Sequence, residues 1–111
     1  MPLSDYKKWQ VVLVNLNPVK GKEISKIRPC LIISPNAANK HLQTVIVAPL
    51  TSTIRNIPTR LLANFGGKPG EMCFDQMRAI DKNRIIKVLG TLNTNERKTV
   101  NQLLQNMFSE L

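Results

Sequence analysis

Up to Leu92 the apolar residues fall in short dense runs, and beyond Asn93 they fall on one helical face. Residues 10–16 are rich in Val and Leu and stop at Asn17-Pro18, which reads as a strand and then a turn. Residues 19–27 lack periodicity and are polar and basic, so they read as a loop. Residues 29–34 form a buried strand closed by Pro35-Asn36. Residues 44–50 form another, and Pro49 puts its end at an edge or bulge. Residues 58–63 are a shorter candidate, and 64–70, with Gly66, Gly67, Pro69 and Gly70, read as a hairpin connection. Residues 71–76 and 87–92 complete the strand set, with a helical turn expected at 81–85.

The last segment has a different period. Val100, Leu103, Leu104, Met107, Phe108 and Leu111 recur at helical spacing and mark one face of an α-helix. Asn93 with Glu96 three residues on predicts a capping box. Five or six short strands with one terminal helix imply a mainly β domain, a small curled antiparallel sheet or partial barrel. The helix stripe then seals one side of the sheet.

Composition sharpens this picture at one point. The 111 residues predict a single domain spanning 1–111, and 42% hydrophobic with 21% charged residues exclude a disordered or fibrous chain. The charge is what stands out: 16 Lys and Arg against 7 Asp and Glu give +9. Such an excess points to a polyanionic partner, whether nucleic acid, an acidic protein tail or an anionic surface. No apolar stretch approaches the ~20 residues a spanning helix needs, so no membrane span is expected. The run after Lys7 and Lys8 stops at Asn15, too early for a signal peptide. Cys30 and Cys73 lie in separate strands and read as reduced thiols of a cytoplasmic protein. With His41 the only histidine, no metal site and no cofactor are expected.

Most catalytic arrangements are excluded by the same counts. One histidine cannot supply the usual histidine acid–base pair, and Glu23, Glu71, Asp75 and Asp81 are too scattered to suggest a two-metal centre. There is no phosphate-binding P-loop and no G-x-S-x-G. Three constellations remain. Residues 20–29, KGKEISKIRP, gather Lys20, Lys22, Lys26 and Arg28 around Glu23, with Arg28 at the mouth of a buried strand. A guanidinium held there suits bidentate phosphate contact, although a solvated basic loop fits the composition equally well. Thr51-Ser52-Thr53 places three hydroxyls at a strand end, fit for phosphate oxygens or for an ordinary turn. Asp75-Gln76-Met77-Arg78 is the third, and its plain alternative is a structural ion pair.

These blocks resemble a known family. Gly21-x-Glu23, Arg28-Pro29-Cys30 to Ser34-Pro35, residues 45–52 and Asp75-Gln76-x-Arg78-x-Ile80-Asp81 are similar, in order and spacing, to the MazF/PemK/Kid family of toxin endoribonucleases. The resemblance covers about residues 10 to 90. It implies an SH3-like small β-barrel with a terminal helix, the MazF/CcdB/Kid-like plasmid-maintenance toxin fold, assembled as a homodimer. It implies metal-free cleavage of single-stranded RNA to 2′,3′-cyclic phosphate and 5′-hydroxyl ends. It implies a cognate acidic antitoxin, with DNA reached only through the antitoxin complex. Carried over by position, Arg28 and Thr51 are the catalytic pair and Glu23 the loop carboxylate, which is also the most plausible base for the 2′-hydroxyl. Lys22, Lys26, Ser52, Asp75, Gln76 and Arg78 are expected to contact RNA. The chain departs from many members at Trp9-Gln10, at 24–26, and at Lys22 and Cys73.

Two other readings stay open. A non-catalytic toxin of the same fold would inhibit DNA gyrase, and the positive charge alone would suit a basic nucleic-acid-binding module or a DNA-binding regulator. Against the last, the only clear helix carries a single basic pair, Arg97-Lys98, and no helix-turn-helix is apparent.

Overall fold

A strand that is apolar at successive positions needs cover on both faces. The computed structural model describes residues 5–109 and uses the apolar runs in that way. Strands β1 (Gln10–Asn15), β2 (Ile27–Ile32) and β3 (Thr44–Thr51) form the middle of an antiparallel sheet. Val12, Val14, Cys30, Ile32, Val45 and Val47 pack on one face. Val11, Leu31 and Ala48 pack on the other, with Met72, Phe74 and Val100. Strands β4 (Arg60–Phe65), β5 (Lys68–Cys73), β6 (Arg78–Asp81) and β7 (Ile85–Thr91) extend the sheet. The order is β4-β5-β3-β2-β1-β7, with β6 pairing separately to β3. The result is the expected class, a curled antiparallel half-barrel with one long C-terminal helix.

Strand β3 shares one edge between two partners. Thr44 to Val47 pair with β6, and Leu50 and Thr51 pair with β5. Ile46 turns its carbonyl toward Ile33, just beyond β2, so by alternation Pro49 faces the opposite edge. There Ala48 and Pro49 fall in the gap between β6 and β5, and the missing proline N–H costs no ladder bond. Pro49 therefore marks a change of partner inside a buried strand, where the sequence suggested a strand end.

The helix α2 (Thr94–Met107) has the expected capping box: Asn93 accepts from the Glu96 amide at 2.9 Å, and the Glu96 carboxylate accepts from the Asn93 amide at 3.0 Å. Val100 is fully buried, and Leu103, Leu104 and Met107 pack beside it. Phe108 departs from the stripe, being the helix C-cap and 68% exposed, while Leu111 lies outside the described residues.

Three elements differ from the expectation. Helix α1 (Asn36–His41) has no apolar stripe, because a polar plug seats it. Buried Asn39 accepts from the Ser34 hydroxyl at 2.6 Å and donates to the Ser34 carbonyl, and buried Lys82 donates to the Asn39 carbonyl. Strand β5 starts at Lys68 because the turn needs only Gly66 and Gly67, both at positive φ, and residues 74–76 form a 3-10 turn instead of more strand. Strand β6 was not anticipated, and the turn expected at 81–85 is a 3-10 turn over Lys82–Arg84, capped by the Asp81 carboxylate. Among the described residues no helix is long and apolar enough to cross a membrane.

Candidate active site

Arg28 precedes Pro29, which biases its backbone toward the extended form that β2 requires. Its Nε donates to the Ser25 carbonyl at 2.8 Å. That bond ties the root of the guanidinium to the preceding loop. Among the described residues neither Nη atom has a partner, so the outer edge of the fork is open. Strands β2 and β3 pair Cys30 with Pro49. Arg28 and Thr51 lie two residues beyond that pair on their strands. The Thr51 Oγ1 accepts from the Thr53 amide at 3.2 Å. That bond uses one of the hydroxyl's two lone pairs and leaves its hydrogen free to donate.

Arg28 and Thr51 line one groove of about 380 Å³. Lys26, Ser52 and Lys68 share its rim, and Leu50, Ala63 and Phe65 give it an apolar floor. Ion pairs among the described residues all involve Arg60, so the cations of the groove keep their charge for a ligand. Gly70 also lines it, and a Cβ there would lie 2.4 Å from the Thr51 carbonyl oxygen. Only glycine lets β5 approach the end of β3 so closely. Lys68, Phe65 and Gly70 were not singled out from sequence. The signal was present in the Gly66-Gly67 turn, which sets Phe65 opposite Lys68.

The other expected residues go elsewhere. Glu23 and Lys22 are exposed on the loop between β1 and β2, outside the groove lining, and one Glu23 oxygen closes the loop by accepting from the Lys20 amide at 2.9 Å. Gln76 accepts from the Ile24 amide at 3.4 Å, and Arg78 donates to the Leu16 carbonyl at 3.3 Å, so both brace that loop and the end of β1. Asp75 is turned to Arg60, with Nε 2.7 Å from Oδ1, and also accepts from the Thr59 hydroxyl. A charge-assisted bidentate pair is a strong demand on that carboxylate, and Asp75 stands outside the groove lining. The Arg60 bond holds the Asp75 carboxyl below the usual range.

One carboxylate was overlooked. Glu71, read only as one of several scattered acids, is 1% exposed. It accepts from the Arg55 and Asn56 amides, each at 2.9 Å. Those amides, Arg55 first, hold its carboxyl below the ordinary value against the effect of burial. The two thiols are inert: burial pushes Cys30 up to about 12 and Cys73 to about 11.

This geometry has counterparts. The family model for PemK-like, MazF-like toxins of type II toxin–antitoxin systems matches residues 7–108. The endoribonuclease MazF of Staphylococcus saprophyticus is 35% identical over 104 residues, 88% of this chain and 87% of that protein. The crystal structure of MazF from Deinococcus radiodurans superposes with a TM-score of 0.79 at 26% identity, covering 93% of this chain and 97% of that one. A MazE–MazF crystal structure from the same organism superposes at 0.74 with 26% identity, covering 96% and 100%.

Proposed function

The chain belongs to the PemK-like, MazF-like toxins of type II toxin–antitoxin systems, and from that footing we propose that it is an endoribonuclease cutting single-stranded RNA in the Arg28–Thr51 groove. The observation that carries the reading is the pairing of an open guanidinium with an outward-donating hydroxyl, side by side on a cationic groove.

The groove suits a transesterification. The ribose 2′-oxygen gives its proton to a base and attacks the adjacent phosphorus, the bond from phosphorus to the 5′-oxygen breaks, and that oxygen takes a proton from water. The products are a 2′,3′-cyclic phosphate and a 5′-hydroxyl. Charge builds on the non-bridging oxygens of the phosphorane, where Arg28 offers two Nη donors and Thr51 a third hydrogen bond. Lys26 and Lys68 hold the flanking backbone. Glu23 is the proposed base; it stands on the loop outside the groove lining, so that loop must close over bound RNA to bring its Oε2 to the 2′-hydroxyl. No step in this scheme needs a metal. A type II toxin has an antitoxin partner. Here an acidic antitoxin segment is proposed to occupy the cationic groove of a homodimer and shield Arg28.

Mapping the ends of RNA incubated with purified protein, with and without EDTA, tests the reading. Cyclic phosphate ends that persist in EDTA are expected. Activity that vanishes in EDTA and returns with magnesium overturns the metal-free scheme, and intact RNA in both arms overturns the activity.

A further inference from the structure

A carboxylate buried in a strand must be matched by donors, or it is far too costly to keep ionised. Around Glu71 the hydrogen-bond donors come from one place, the loop joining β3 to β4, and an ion-pair partner comes from the start of β4. The Arg55 amide donates to Oε1 and the Asn56 amide to Oε2, both at 2.9 Å, and Arg60 Nη1 lies 3.8 Å from Oε1. Just past these two amides the chain turns, Asn56 taking the left-handed φ of +53 that asparagine tolerates. Apolar burial does not hold this loop, since Ile54 is 49% and Ile57 40% exposed. The middle of the loop is held by Glu71.

The same loop begins at the catalytic threonine. Thr51 is the Cα partner of Glu71 across β3 and β5, and the Thr53 amide sets the Thr51 hydroxyl. We propose that Glu71 is a positioning residue for Thr51, holding residues 52–56 so that the Thr53 amide keeps the Thr51 hydroxyl aimed into the groove. The inference rests on the ribonuclease reading. It assigns Glu71 to the rate of the chemical step and leaves RNA affinity to the cations of the rim. Glu71→Gln keeps the side-chain shape but turns one acceptor into a donor facing a donor. The loop then loses an anchor while the groove keeps its charge.

The test is a double-mutant cycle on single-turnover cleavage of an RNA oligonucleotide carrying a mapped cut site, with melting temperature followed in parallel. Glu71→Gln should slow cleavage about tenfold with RNA affinity within about twofold. In a Thr51→Ala background it should slow the residual rate less than about twofold, because the group it positions is gone. Equal slowing in both backgrounds overturns the proposal. Thr53→Pro removes the intermediate amide without touching the core. It should reproduce the loss, and a wild-type rate there also overturns the proposal. The wild-type chain tests the anchor with no substitution: the Arg55 and Asn56 amides, on an exposed loop, should exchange slowly at neutral pH. Unprotected amides overturn it. A wild-type chain that cuts no RNA defeats the ribonuclease reading instead, and those two amides still decide the anchor.

Discussion

Arg60 grips Asp75 with both arms of its guanidinium, Nε lying 2.7 Å from Oδ1 and Nη2 3.0 Å from Oδ2. The Asp75 carboxyl is held below the usual range by this bond. The stability it adds is therefore present in full above that range and is lost as pH falls through the lowered folded value. Asp75→Asn should cost about 1 kcal/mol near neutral pH, discounted for partial exposure. That is roughly 4–5 °C in a domain of this size. Thermal melts across the acid range check it: the gap between wild type and variant should close as Asp75 protonates. A gap that persists in acid would mean that the pair is not its source. RNA affinity should barely change, since Asp75 stands outside the groove.

Arg28→Lys should lower the single-turnover rate by about 10²–10³ and leave the melting temperature nearly unchanged. Lysine keeps the charge and loses the two open Nη donors. A near wild-type rate would remove Arg28 from the reaction, and a collapse in stability would make it a structural residue. Glu23→Gln, measured beside it, should reduce the rate at fixed pH if Glu23 takes the proton.

Lys68→Ala removes a rim cation at an exposed hairpin end. RNA affinity should fall and its logarithmic salt dependence should flatten by about 0.7, one phosphate contact on a single strand. Binding of an uncleavable 2′-deoxy oligonucleotide across a salt series measures this. An unchanged slope would place the RNA backbone off this rim.

Gly70→Ala drives a methyl against the Thr51 carbonyl, and backbone on both sides must move. A loss of about 1–3 kcal/mol is expected, with a fall in rate beyond what stability explains, because Thr51 shifts with its strand. Alanine tolerated at both levels would show that β5 can stand further from β3.

The fold was legible where periodicity speaks. The runs of β1, β2 and β3, the Asn93–Glu96 cap and the Val100–Met107 stripe each follow from local pattern. Helix α1 was hidden because Asn39, Ser34 and Lys82 seat it by polar contacts that carry no period. Strand β6 was hidden because Arg78–Asp81 is short and reads first as charged chemistry. In the site, the spacing of their blocks singled out Arg28 and Thr51, and the fold brings both to one groove. The hydrogen bonds of Asp75, Gln76 and Arg78 were not legible, since their partners Arg60, Ile24 and Leu16 come from distant positions. Glu71 gave no signal at all: one acid in a strand says nothing of the loop amides that fold onto it.

Strand β1 finds one of its two neighbours in β7, so the first strand waits for nearly the last. The groove residues, from Lys26 to Gly70, leave the ribosome well before β7 and α2. At roughly 5–20 residues per second those later elements lag by some seconds. Until they arrive, β1 lacks a flank and the face around Leu31 and Ala48 lacks its helix. Until both are in place, the Arg28–Thr51 groove stands on an unfinished sheet. Nascent chains stalled before Ile85 should accordingly be protease-sensitive and inactive, and those stalled with α2 clear of the ribosome should be neither.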